Sequence, residues 1–120
     1  MKRERLAVIE KEIARVLSGV LLTEIKNPKI KGLVSVTSVR VTEDLKFADI
    51  FFSILNANGE QQSEEGKKST MEGLEEVKGF LRKKIADEME LRHTPEIRVK
   101  LDDSMEYASK MNELLDKLKG

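Results

Sequence analysis

The residues of this chain best suited to chemistry are cations, and they gather around one glycine. Lys78, Arg82, Lys83 and Lys84 surround or follow Gly79, while Glu72, Glu75 and Glu76 precede it. Arg92 follows the cluster and stands beside His93. Ammonium and guanidinium groups neutralise phosphates, and a glycine lets a ligand approach the backbone with no Cβ in the way. Polyanion binding is the chemistry that such a group supports. The competing reading is a single long helix with a tolerated glycine and a solvated charged face. Other cations stand elsewhere, with Arg3 and Arg5 near the start and Lys29 and Lys31 just after Pro28.

Catalytic constellations are sparse. His93 is the single histidine, has no metal-ligand partner nearby in sequence, and reads as a structural or surface residue before an RNA contact. Asp102-Asp103 reads as the start of a helix rather than half of a two-metal site. The phosphate-cradling Gly-x-x-x-x-Gly-Lys-[Ser/Thr] and Gly-x-Gly-x-x-Gly patterns are both absent. Cysteine is absent too, which excludes disulfides and thiol chemistry. The expectation is a protein that is not an enzyme and holds no metal or cofactor.

The chain has 120 residues, enough for one domain with a real core. No stretch approaches the ~18 consecutive apolar residues of a membrane span, and the charged start lacks a signal-peptide apolar region. A soluble cytoplasmic protein with no membrane partner is expected. Net charge is zero but unevenly spread. Residues 1–50 carry ten Lys/Arg against seven Asp/Glu, and residues 78–100 seven against four. Between them, residues 51–77 carry two against six, and residues 101–120 carry three against five. Two basic blocks on either side of an acidic one permit a dipolar molecule with one anion-binding face.

The elements that must position these groups follow from periodicity. Leu6, Ile9, Ile13, Val16, Leu17, Val20 and Leu21 predict an amphipathic helix over about Glu4 to Ile25, stopped by Asn27-Pro28. Leu33 to Thr42 is rich in β-branched residues and predicts a strand, with a switch of parity near Thr37-Ser38 that suggests a bulge. Glu43-Asp44 is the turn, and Lys46 to Leu55 is the return strand of an antiparallel hairpin. Ala48, Ile50, Phe52 and Ile54 share one face of that strand, and Phe47, Asp49, Phe51 and Ser53 the other. Phe52 and Phe80 are expected in the core. Phe47 and Phe51, the only stacking candidates, are expected beneath a helix.

After a polar loop, Met71, Leu74, Val77, Leu81, Ile85 and Met89 mark the apolar stripe of a helix within Glu64 to Arg92. Its cap is Ser63 or, in a capping-box spacing with Glu72, Ser69. Glu96 to Leu101 alternates as a third strand with Ile97, Val99 and Leu101 inward. A last helix follows, with Ala108, Met111, Leu115 and Leu118 on one face. The order is α-β-β-α(kink)α-β-α, an α+β fold whose three-stranded sheet is covered on one face.

That order resembles a KH domain of the second topological type, but no two glycines stand three apart, so the Gly-x-x-Gly loop of ordinary KH domains is missing. The chain closely resembles the ribosome-binding factor A family, KH-like proteins in which an interrupted helix with an Ala-x-Gly kink replaces that loop. Here the kink reads Val77-Lys78-Gly79. Asn27-Pro28-Lys29-Ile30-x-Gly32 is similar to the family's Asp-Pro-Arg-Ile-x-Gly segment. Val34-Ser35-Val36-Thr37-x-Val39-x-Val41, Gly79-Phe80-Leu81-Arg82, Leu91-Arg92-x-Thr94-Pro95-Glu96 and Asp102-x-Ser104-x-Glu106-Tyr107 follow in the family's order. The chain departs from the pattern in two places. Glu4 stands where the family usually has an arginine, and the loop after Leu55 is several residues longer.

The resemblance implies a monomer that binds the 30S ribosomal subunit and assists late maturation of 16S rRNA, including its 5′ end, without cutting it. The residues expected to touch RNA are Arg3, Arg5, Lys29, Lys31, Lys78, Gly79, Arg82, Lys83, Lys84 and Arg92. The alternative is an α+β protein-interaction module or homodimer, using the open sheet face and having no RNA role.

Overall fold

A computed structural model describes residues 3–102. Its elements are α1 (Arg3–Thr23), β1 (Leu33–Val41), β2 (Phe47–Leu55), α2 (Glu64–Glu88) and β3 (Glu96–Leu101). The predicted helix over Ala108 to Leu118 lies outside the described residues.

Apolar spacing sets α1. Leu6, Ile9, Ile13, Val16, Leu17 and Val20 are all buried, and each contributes roughly 1.5–3 kcal/mol by leaving water. The helix is held to the sheet at its first turns. The Glu10 carboxylate accepts from the backbone N–H of Val41 at 2.9 Å and from the Arg3 guanidinium at 3.2 Å. Beyond Thr23 the chain leaves the helix before Pro28, and the Asn27 side chain accepts from the Lys29 N–H at 2.9 Å to form the turn.

The strands form one mixed sheet of order β1-β2-β3, with β1 antiparallel and β3 parallel to β2. The predicted bulge is present. Register shifts between Val36 and Ser38, so Thr37 is the extra residue and its hydroxyl donates to the Phe51 carbonyl at 3.2 Å. The hairpin turn is wider than Glu43-Asp44. Leu45 takes φ 60, and the Asp44 carboxylate accepts from the Thr42 hydroxyl at 2.7 Å and the Lys46 N–H at 3.1 Å. These two hydrogen bonds hold the Asp44 carboxyl below the usual carboxylate range.

Helix α2 begins at Ser63, whose hydroxyl accepts from the Gly66 N–H at 3.1 Å. The other candidate cap, Ser69, lies inside the helix and donates to the Lys29 carbonyl at 3.1 Å. The helix is one element of 25 residues that passes through Val77-Lys78-Gly79, so the expected kinked pair is a single continuous helix. Glycine keeps its backbone donor and acceptor, and a loss of about 1 kcal/mol in propensity is small beside the burial of Leu74, Leu81 and Ile85 on both sides of it. The helix ends at Glu88, earlier than Arg92, because Met89 turns extended and leads the chain to a fully buried Pro95 ahead of β3.

Both helices lie on one face of the sheet. Their buried residues join Ala48, Ile50, Phe52, Ile54, Ile97 and Val99 in one core, with α1 over β1 and α2 over β3. Phe52 is in that core as expected, but Phe80 is 40% exposed on α2. Phe47 and Phe51 point to the opposite face and are half-buried there, and among the described residues no helix lies over them.

Two glycines fix how the Pro28 loop meets α2. A Cβ on Gly73 would stand 2.6 Å from Ile30 Cγ1, so the loop packs directly on the helix backbone. Gly32 takes φ +73, and a Cβ there would stand 2.2 Å from the Leu55 carbonyl oxygen. Beside it the buried Gln62 amide donates to the carbonyls of Lys31 and Leu55, and its oxygen accepts from the Thr70 hydroxyl at 3.2 Å.

Candidate nucleic-acid interface

Gly79, Arg82, Lys83 and Ala86 recur at helical spacing and share the face of α2 that turns away from Leu81 and Ile85. The Arg82 guanidinium donates to the Thr94 carbonyl at 2.9 Å. That bond ties the end of α2 to the connection before β3, and so places Arg92 and His93 across from Lys83. Together Gly79, Arg82, Lys83, Ala86, Arg92, His93 and Thr94 line an open depression of about 360 Å³. No carboxylate lines it. Exposed cations around a bare stretch of helix have the chemistry that a phosphate ligand would need. A Cβ on Gly79 would meet nothing within 4 Å, so internal packing does not require the glycine.

The structure distributes the other expected contacts differently. Lys84 turns toward α1, where its ammonium meets the Glu24 carboxylate at 2.6 Å and lies 5.4 Å from the Phe80 ring centroid. The Glu24 hydrogen bond raises the Lys84 pKa. Lys78 pairs with Glu75 at 2.8 Å. Lys29 is paired with Glu76 at 2.7 Å, and Asn27 donates to the same carboxylate at 3.1 Å. Lys31 is exposed, but its backbone is engaged by Gln62 and Thr70. Lys29 and Lys31 sit by Gly73 and the start of β1, and Lys29 reaches Glu76, about one helical turn before Gly79, so it borders the depression without lining it. Arg3 is held by Glu10, whereas Arg5 is exposed and has no ion pair among the described residues. Both arginines lie toward the end of the sheet where Val41 pairs with Ala48, which is also the end where β3 begins. The depression therefore unites Gly79, Arg82, Lys83 and Arg92, and adds His93.

The Lys29–Glu76 pair carries a pH signature. Its hydrogen bond, followed by the charge attraction, raises the Lys29 pKa, and bonds from Lys29 and then Asn27 lower that of Glu76. A depressed carboxylate contributes stability above its unfolded pKa and loses it as pH falls through the folded value. An NMR titration should give Glu76 a midpoint below 4.5, and Lys29→Met should return it toward the ordinary value.

Comparison with known proteins bears on the family and the fold. The family model described as ribosome-binding factor A matches residues 5–115. A ribosome-binding factor A of Fusobacterium nucleatum is 60% identical over 119 residues, covering 99% of each chain. One of Clostridium novyi is 40% identical over 119 residues, covering 99% of this chain and 93% of its own. Among solved structures, the Thermotoga maritima protein described as a ribosome-binding factor A superposes with a TM-score of 0.63 at 31% identity, covering 82% of this chain and 88% of that one. A homology model of Thermus thermophilus ribosome-binding factor A, fitted into a cryo-EM map of a 30S complex, has the same fold, with a TM-score of 0.62 at 16% identity over 80% of this chain and 93% of that one. With a family match along nearly its whole length and relatives this similar at full coverage, the chain belongs to the ribosome-binding factor A family.

Proposed function

We propose that this protein binds the small ribosomal subunit through 16S rRNA and assists late maturation of that RNA, including its 5′ end, without catalysing cleavage. Family membership supports the ribosome as partner, and a homology model of the Thermus relative has been fitted into a cryo-EM map of a 30S complex. The observation that carries the site is the carboxylate-free depression joining Arg82, Lys83 and Arg92 beside an unshielded Gly79. Phosphates held there would displace counterions, so binding weakens steeply with salt. Co-sedimentation with separated small and large subunits at low and high salt tests the reading. Salt-sensitive binding to the small subunit alone is expected, and binding to neither subunit would sink it.

Gly79 offers a second check with opposite signs. Gly79→Ala places its methyl in open space on a helix, so it should raise the unfolding free energy by about 0.5–1 kcal/mol. The same methyl stands where the RNA backbone would approach, so affinity for the small subunit should fall. A more stable variant with unchanged affinity would remove the helix backbone from the contact.

A further inference from the structure

The sheet face that no helix covers among the described residues carries a group that the depression does not explain. On the central strand, Phe47, Asp49 and Phe51 face away from both helices. Arg98 on β3 lies over the Phe47 ring, 4.6 Å from its centroid, and both guanidinium sides of its fork engage the Asp49 carboxylate. Arg98 stays 44% exposed in that position, so the outer plane of its guanidinium faces solvent. Exposed Lys100 and Arg40 flank the group, opposite Phe51 and Asp49 in the ladder. Arg98 neutralises Asp49, and Glu96 stands on the same face opposite Phe47, so Arg40 and Lys100 leave the face with one net positive charge, placed away from the Glu96 end.

This surface is continuous with the depression. Thr94 lines the depression, and two residues later Glu96 pairs with Phe47. Among the described residues β3 is an edge strand, so one strand, about 4.8 Å across, separates the helix side from the open face.

We propose that the open sheet face is a second RNA contact, taking a single-stranded segment that leaves the Arg82–Arg92 depression and rounds the β3 edge. One base stacks on the Arg98–Phe47 pair and the next phosphates meet Lys100 and Arg40. The proposal rests on the reading that this protein binds rRNA. Single-stranded nucleic acid is the occupant because an aromatic ring capped by an oriented guanidinium is a stacking plane, and cations flank it at backbone spacing. A protein partner fits less well, since Asp49 and Arg98 interrupt the apolar area between the two phenylalanines.

The test uses the full chain and a 12-nucleotide single-stranded RNA carrying one 2-aminopurine, read by anisotropy and by fluorescence quenching. Phe47→Leu should weaken binding about tenfold and relieve the quench, whereas Phe47→Tyr should retain both. Lys100→Glu, at an exposed position outside the core, gives a second reading and should weaken binding while leaving the melting temperature unchanged. If the RNA binds and quenches equally with Phe47→Leu and Lys100→Glu, the sheet face is not a contact. If sheet variants lose the small subunit but not the oligonucleotide, the face meets a protein and the proposal fails. No binding of the oligonucleotide by the wild type also overturns it. Small-subunit sedimentation in the same preparation then shows whether the primary reading stands.

Discussion

Lys83→Glu combined with Arg92→Glu should lower affinity for the small subunit by about a hundredfold at low salt. Hydrogen bonds to charged groups contribute about 1.5–3 kcal/mol each, so two lost contacts account for that factor before any repulsion from the new carboxylates. These two residues are chosen because they make no ion pair among the described residues, whereas Arg82 also holds the Thr94 carbonyl. Reversing Arg82 would confuse a lost phosphate contact with a displaced β3 connection. The dependence of log affinity on log salt should flatten by about 1.4, the value expected for two phosphates on a single strand. Circular dichroism melts of the variant should match the wild type. A variant that still sediments with full affinity would move the contact away from α2, with Arg5 at the start of α1 the next position to reverse.

Gly32→Ala should be the most damaging single methyl in the described fold. At φ +73 an alanine costs about 1–2 kcal/mol from the backbone alone. Its Cβ would then stand 2.2 Å from the Leu55 oxygen and 2.7 Å from Gln62 Nε2. Relief requires moving Gln62, which breaks bonds to Lys31, Leu55 and Thr70 and leaves buried polar atoms unpaired at about 1–3 kcal/mol each. A loss of about 3–5 kcal/mol follows, which lowers the melting temperature by about 15 °C or more in a domain of this size. Gly59→Ala is the control. It has φ +86 with nothing within 4 Å, so only the backbone cost of about 1–2 kcal/mol applies. Equal losses at the two positions would show that crowding around Gln62 is unimportant.

Much of this fold is legible in the sequence, because spacing alone separates a period of 3.6 from a period of 2. The buried residues of α1, the bulge at Thr37, the Ser63 cap and the inward Ile97 and Val99 all follow from local pattern. What pattern cannot supply is which side of a strand the helices cover when both sides are apolar. On β2 the two phenylalanines at 47 and 51 look as buriable as Phe52, and only the placement of α1 and α2 decides between them. Phe80 is exposed for a related reason, since Leu81 occupies the core-facing position next to it.

Which cations gather at the depression is readable only in part from spacing. A helix advances about 100° per residue, so Arg82 and Lys84, two apart, could not share a face. That spacing was the available signal for leaving Lys84 out of the depression. Lys29 and Lys78 each have a glutamate that claims them, and nothing in linear order shows that Glu76 reaches Lys29 across 47 positions. His93 enters the depression only because Arg82 anchors Thr94, a tertiary bond. Gly73 and Gln62 give no sign in the sequence, because their importance lies in what the Pro28 loop and the ends of β1 and β2 bring against them.

Parallel pairing of β3 with the central strand has a consequence for the order in which the molecule can be completed. Residues 96–101 close the sheet, yet they come after both helices and the hairpin have been synthesised. Until they emerge, β2 has an open edge, and Leu81 and Ile85 have no β3 beneath them to complete the core. A nascent chain stopped before Glu96 therefore displays apolar helix surface and an unpaired strand together, the combination that favours aggregation. Such truncated chains should be the substrates of chaperones and proteases.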